Sequence, residues 1–333
     1  MIKKVFEEKI SVSIAVIIGI IVYRLSIFYI IQPKFDASLV HGIFTNIIFT
    51  LNQSPLISVL VSTLFILIQG LIILRLVDYY DILGKPGSSV LLSLGIFSSI
   101  YPETLFINQI YLANTFFLIA TYSVFQFLEK NYKKSVLLKA SFLFGLSALT
   151  LSEFYWSFVL MISLIIIFKS VKLSDILIVV FGMVIPFYIV ASLGYLFSWD
   201  WSISNNWRSW LLDIRSTGLD WTKSSLEIIT LILLVMIALF GVIRQVRTYF
   251  RFNVEIRRSL LAMMVIALFL FLVLITRWYV YRDYFLVLSI PLSIYHSIFF
   301  KRERKNWWIT GVWYLTFFVA ISPTWWDLLW FLK

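Results

Sequence analysis

The chain has 333 residues, of which 61% are hydrophobic and only 14% charged, with a mean hydropathy of +0.94. Soluble domains carry about 45–50% apolar and about 25% charged residues, so a water-soluble globule is excluded and an all-α integral membrane protein is expected. The net charge of +11 comes from short basic clusters between apolar runs, the pattern of loops facing anionic headgroups and not of a nucleic-acid surface.

A spanning helix needs about 20 apolar residues. In chain order, the apolar runs predict spans near 10–31, 56–76, 87–101, 109–128, 135–152, 155–169, 174–197, 225–243, 259–276, 284–300 and 307–322. That makes about eleven by the length criterion, in a single polytopic domain over 1–333.

The first run is too long for a signal-peptide core and has no small-x-small cleavage site, so it reads as a retained span. Arg24 sits within it, about 10 Å of helix rise below its end. Buried arginines in spans usually face the bundle interior and pair. Two readings stand for Arg24: snorkelling to the headgroups, or pairing with Glu103, Glu153 or a bound phosphate.

"QPKFDASLVHG" follows, where the chain leaves the bilayer near Pro33. In "DASLVHGIFTNIIFTLN" one face holds Val40, Ile43, Phe44, Ile47 and Leu51, and Ser38, His41, Thr45 and Asn52 fall opposite. This predicts a surface helix that re-enters near Leu56. Asp36 stands at its start, where a carboxylate can cap orphan amides or serve as a general base.

Glu103 in "YPETLF" and Glu153 in "LSEFYW" are further acids at the ends of apolar segments, loosely suited to acid–base work in a partly dry cleft. Residues 135–169 are divided at "LSEFYW" into two short helices, because fusing them would move "RQVRTYFRFNVEIRR" and "KRERK" to the outer side. "SWDWSISNNWRSWLLDIRSTGLDW" carries Trp207, Trp210, Leu211 and Ile214 at helical spacing, an interfacial amphipathic pattern. "TRWYVYRDY" and "SPTWWDLLWFLK" are similar aromatic clusters, so segments 32–55, 198–224 and 323–333 are assigned to one interface.

Most Lys and Arg then fall on one side, leaving Lys34, Arg208, Arg215, Lys223, Arg277, Arg282 and Lys333 opposite. The positive-inside rule sets the N-terminus inside and the C-terminus outside. Single cysteines at Ser204 and Ser216 should therefore react with an impermeant maleimide in intact cells, and cysteines at Asn131 and Asn253 should not. Labelling at Asn253 without labelling at Ser204 would overturn the division at "LSEFYW".

Cysteine is absent, which rules out native disulfides, thiolate metal sites and thiol nucleophiles. His41 and His296 fall at opposite ends of the bundle and cannot share a metal. "GKPGSS" is not a phosphate-binding loop. No cofactor is called for, and a divalent metal is left open.

The block from "GKPGSSVLLSLGIFSSIYPETLFINQIYLANTFFLIA" through "KASFLFGLSALTLSEFYWSFVLMISLIIIF" to "DILIVVFGMVIPFYIV" resembles an uncharacterised family of Bacteroidota inner-membrane proteins. The layout of first span, outer loop with a carboxylate, interfacial helices and further spans resembles the C-type glycosyltransferases. That resemblance implies transfer of a sugar from a polyprenyl-phosphate carrier at the periplasmic face of a bacterial inner membrane. It implies catalytic roles for Asp36 and Glu103, and a carrier phosphate held by Arg24, Arg277 or Arg282. Membrane lipids and membrane proteins are the expected partners. A non-enzymatic subunit of an envelope assembly, secretion or motility complex is the alternative, and a transporter the third.

Overall fold

The computed structural model describes residues 10–31, 44–79, 88–129, 134–168, 172–196, 253–276 and 281–301, with scattered helical positions between 232 and 318. Asp36, His41, Arg277, the segments 198–224 and 323–333, and most of the runs 225–243 and 307–322 lie outside the described residues.

Among the described residues there are helices and no strands. In chain order they are α1 Ile10–Ile31, α2 Thr45–Asn52, α3 Pro55–Tyr79, α4 Ser89–Phe97, a 3-10 turn Pro102–Leu105, α5 Gln109–Glu129, α6 Lys134–Thr150, a second 3-10 turn Ser152–Trp156, α7 Ser157–Phe168, α8 Leu173–Leu196, α9 Val254–Thr276 and α10 Tyr281–Lys301. Five of these, α1, α3, α5, α8 and α9, hold windows long and apolar enough to cross a bilayer.

Several helices expose apolar side chains. On α8, Leu177, Phe181, Val184, Tyr188 and Tyr195 are exposed, while Gly182, Met183 and Pro186 are buried. The outward side of α1 is likewise apolar, with Ile14, Ile18, Val22 and Tyr29 exposed. Such continuous apolar exposure suits lipid tails and would be costly in water. By contrast, α10 is buried continuously from Asp283 to Ser297. It packs against α4, α5, α9 and the first 3-10 turn. Its serines 289, 293 and 297 are all buried, and small residues of this kind let neighbouring backbones approach closely.

Two breaks shape the bundle. The run 87–101 was expected to span, but α4 stops at Phe97 after 9 residues, about 14 Å of rise against a hydrocarbon core of about 30 Å. Pro102 bars any continuation through the turn: it has no N–H for the Ser98 carbonyl, and it pushes Tyr101 out of the helical region. Tyr101 is accordingly extended, at φ −105 and ψ 134. Between Ser98 and Asn108 every residue except Glu103 is buried, so this irregular backbone is enclosed by protein as a low-dielectric setting demands. The second break, expected at "LSEFYW", is present: α6 ends at Thr150, and Leu151 is extended at φ −137 and ψ 114 before the turn that leads into α7.

The surface-helix expectation needs a correction. Of that segment the described part is α2, where Ile48 is buried, Ile47 is exposed, and Phe44 and Leu51 pack against the core. Asn52, assigned to the polar outer face, is also buried. The inward face is turned by about one residue because Asn52 bonds inside, to the Ile107 carbonyl and the Ser58 hydroxyl.

Candidate functional site

The enclosed segment 98–108 carries carbonyls and amides that no helix satisfies, and its partners define the candidate site. Arg24 supplies most of them. Its guanidinium is wholly buried. Nε donates to Thr63 Oγ1 at 2.9 Å, and Nη1 donates to Ser99 Oγ at 2.9 Å and to the Ser98 carbonyl at 3.4 Å. Nη2 donates to Ser62 Oγ at 2.8 Å, to the Thr104 and Leu105 carbonyls at 3.2 Å each, and to Tyr111 Oη at 3.3 Å. A guanidinium has five N–H groups, and these acceptors engage every nitrogen.

Both expectations for Arg24 are thereby corrected. It does not snorkel, since none of its surface is exposed, and its partners are neutral oxygens, not carboxylates. The physical reason is the broken helix. Ser98 lies at the C-terminus of α4, where carbonyls and the helix dipole present partial negative charge. A tethered cation offsets that end while filling the hydrogen-bonding capacity of the turn that follows. With all its donors on protein oxygens, Arg24 has none left for a phosphate.

A second clamp holds the other end of the segment. Ser58 Oγ accepts from the Ile107 amide at 2.8 Å and donates to Asn52 Oδ1, and Asn52 Nδ2 donates to the Ile107 carbonyl at 3.0 Å. Thr104 Oγ1 closes the turn on itself, its one O–H shared between the Ser98 carbonyl at 2.8 Å and the Tyr101 carbonyl at 2.6 Å. Tyr111 Oη donates to the Thr104 carbonyl. On α3, Gln69 Nε2 donates to the Tyr111 carbonyl at 2.9 Å. Ser58→Ala is expected to lower stability by about 1–3 kcal/mol, the cost of a buried group left unsatisfied, read from thermal unfolding in detergent. Thr50→Ala, which removes only an exposed bond within α2, should leave the midpoint unchanged.

On this fixed frame Glu103 is the residue that looks outward. Arg282 Nη1 donates to Glu103 Oε1 at 2.7 Å, with side-chain exposures of 30% and 34% for arginine and glutamate. The other carboxylate oxygen, Oε2, is enclosed and accepts no hydrogen bond among the described residues. Asp283, next in the chain to Arg282, is buried and near enough for its charge to act on the Tyr111 hydroxyl. Tyr101 meets Phe285 edge to face, ring centres 5.5 Å apart, fastening the segment to α10.

Of the sequence-derived candidates, the fold brings Glu103 and Arg282 into contact and sets Arg24 behind them through Thr104. Glu153 belongs to the other turn, which packs on α6, α7 and α9, and it is buried. Asp36 and Arg277 lie outside the described residues. Among the described residues no three His, Asp or Glu side chains form a group that could hold a metal ion. Sequence reasoning missed Ser58, Ser62, Thr63, Ser98, Ser99 and Asn52. The only signal was the clustering of polar residues inside "SVLVSTLF" and "GIFSSIY", a weak one, because such hydroxyls can bond carbonyls of their own helices. In comparisons with known proteins, no family model, no curated protein and no solved structure matches this chain.

Proposed function

We propose that this chain is a multi-spanning inner-membrane protein with a glycosyltransferase C-like scaffold, which binds or acts on a polyprenyl-phosphate-linked saccharide at the periplasmic end of its bundle. The observation that carries this reading is the partly exposed Glu103–Arg282 pair on a turn whose backbone is pinned from behind. A guanidinium suits a phosphate because its forked donors match two oxygens at once, so Arg282, with Arg277, holds the carrier. Glu103 or Asp36 takes the proton from the acceptor hydroxyl as general base. Arg24 acts as a positioning residue, since it holds the backbone on which Glu103 is displayed. The resemblance to the Bacteroidota family belongs to this proposal.

Mass spectrometry of lipids that co-purify with the protein tests the reading. A polyprenyl-phosphate species retained by the parent and lost in Arg282→Gln is the expected result. Asp36→Asn and Glu103→Gln should fold normally, and the one that removes the base should lower transfer by about 10²–10⁴-fold. Failure of the parent to retain any carrier lipid would sink the reading. The second reading, a non-enzymatic subunit of an envelope complex, is favoured by one observation: Glu103 and Arg282 neutralise each other. Full cellular function of both acid variants would put that reading first.

A further inference from the structure

The proposed function leaves a difficulty at its own site. The cation assigned to a phosphate already has an anion on it. Around the first 3-10 turn the described charges are Arg24, Glu103, Arg282 and Asp283. Arg24 is sealed, and Asp283 is buried. Arg282 and Glu103 are the two of this set with substantial exposure.

The contact between them has three features of an exchangeable ligand. It is one-sided: Nη1 meets Oε1 at 2.7 Å, although a guanidinium and a carboxylate can form two parallel bonds. The other oxygen, Oε2, is enclosed without a hydrogen-bond donor among the described residues, a condition that penalises the bound carboxylate and is relieved when the side chain turns outward. Finally, the backbone beneath Glu103 is held independently. Thr104 and Leu105 are tied to Arg24 and Thr104 to Ser98, while Ile107 is tied to Ser58 and Asn52. Glu103 can therefore leave Arg282 by rotating its own side chain, with no helix or turn melting.

We propose that Glu103 is an internal anion that occupies Arg282 in the empty protein and is displaced by a phosphate monoester or diester, so that ligand binding and release of a free carboxylate at this turn are one event. This regulation rests on the proposed role of Arg282 as the phosphate-binding cation. The guanidinium exchanges one carboxylate for one phosphate: a diester brings the same single negative charge, and a monoester brings about one and a half to two. The exchange also supplies an order of events. The carboxylate that would serve as base is held until the carrier phosphate is seated, and only then becomes available to an acceptor.

The test uses the full chain in phosphatidylcholine nanodiscs, with dioleoyl phosphatidic acid as the lipid-borne phosphate and inorganic phosphate as the soluble one. Binding is read by native mass spectrometry and by thermal shift. Glu103→Gln keeps the shape of the side chain but not its charge. It should tighten phosphatidic acid binding by about 1.5-fold to fivefold, the range expected for removing a partly exposed competing ion pair. Arg282→Gln should weaken binding, and adding Glu103→Gln to it should bring no further change, because the competition needs both partners.

If Glu103→Gln tightened binding equally with and without Arg282, the effect would be general charge repulsion and the exchange would be overturned. Unchanged binding in Glu103→Gln, with Arg282→Gln still weakening it, would also overturn the exchange while leaving the phosphate role of Arg282 intact. Loss of effect in both variants would overturn that role as well. Competition by inorganic phosphate identifies a soluble anion as the occupant, and its failure to compete identifies a lipid-borne one; the exchange stands in either case. Absence of polyprenyl carriers in the purified protein bears on the proposed function alone.

Discussion

Arg24→Leu is expected to be the most damaging single substitution in the described part of the chain. By hydropathy alone it should help, because leucine at the centre of a span is favoured over arginine by about 3 kcal/mol on insertion scales. The structure reverses that sign. Leucine would strip donors from the carbonyls of Ser98, Thr104 and Leu105 and from the hydroxyls of Ser62, Thr63, Ser99 and Tyr111.

Ser62, Thr63 and Ser99 can fall back on carbonyls of their own helices, which they already reach. Each carbonyl of the turn keeps one other donor, Ser98 from Thr104 Oγ1, Thr104 from Tyr111 Oη and Leu105 from Ser62 Oγ, but each loses its charged one. A hydrogen bond to a charged group contributes about 1.5–3 kcal/mol, so the loss of three of them exceeds what improved hydropathy returns. The expected result is a protein that inserts but unfolds at a much lower temperature in detergent, with protease cleavage appearing near residues 98–108. Arg24→Lys, a cation with three donors instead of five, should fall between leucine and the parent. An Arg24→Leu protein as stable as the parent would show that the turn is held without its guanidinium.

The second large effect is expected where α6 crosses α8. A Cβ placed on Gly145 would lie 2.6 Å from the Met183 carbonyl oxygen and 2.9 Å from Pro186 Cγ, and one on Gly182 would lie 2.4 Å from Ser141 Cβ. Backbone cannot step aside as a flexible side chain can, so the two helices must separate. Overpacking of this kind typically costs about 1–3 kcal/mol; the double variant Gly145→Ala with Gly182→Ala should lose more than either alone.

Gly19→Ala is the contrasting case. It lies in α1 with nothing within 4 Å of the added methyl, and it should gain up to about 1 kcal/mol from helix propensity. The same chemical change is thus expected to carry opposite signs at positions 145 and 19, measured as shifts in unfolding midpoint. Equal midpoints for Gly145→Ala and Gly19→Ala would rule out the close crossing.

Much of the architecture was legible in the residues. Hydropathy is a local sum, so the helices at 10–31, 56–76, 109–128 and 174–197 could be read almost to their ends, and the break at "LSEFYW" followed from placing the basic clusters. Pro102 marked a stop, although the run around it read as a full span because its serines are small and weakly polar. The lone arginine also announced that something polar must surround it.

What surrounds it was decided only by the tertiary structure. The acceptors for Arg24 come from α3, from the end of α4 and from α5, up to 87 residues away in the chain. Glu103 and Arg282 meet across 179 residues. A serine or threonine in a span can satisfy its hydroxyl on its own helix, as Thr63 does with the Val59 carbonyl, so nothing in its neighbourhood reveals that it also serves a distant cation. Asn52 was set outward because helical periodicity ranks a residue by its own polarity. The fold turned it inward because the Ile107 carbonyl and Ser58 hydroxyl, buried in an unwound segment, required partners that only an amide side chain at that place could offer.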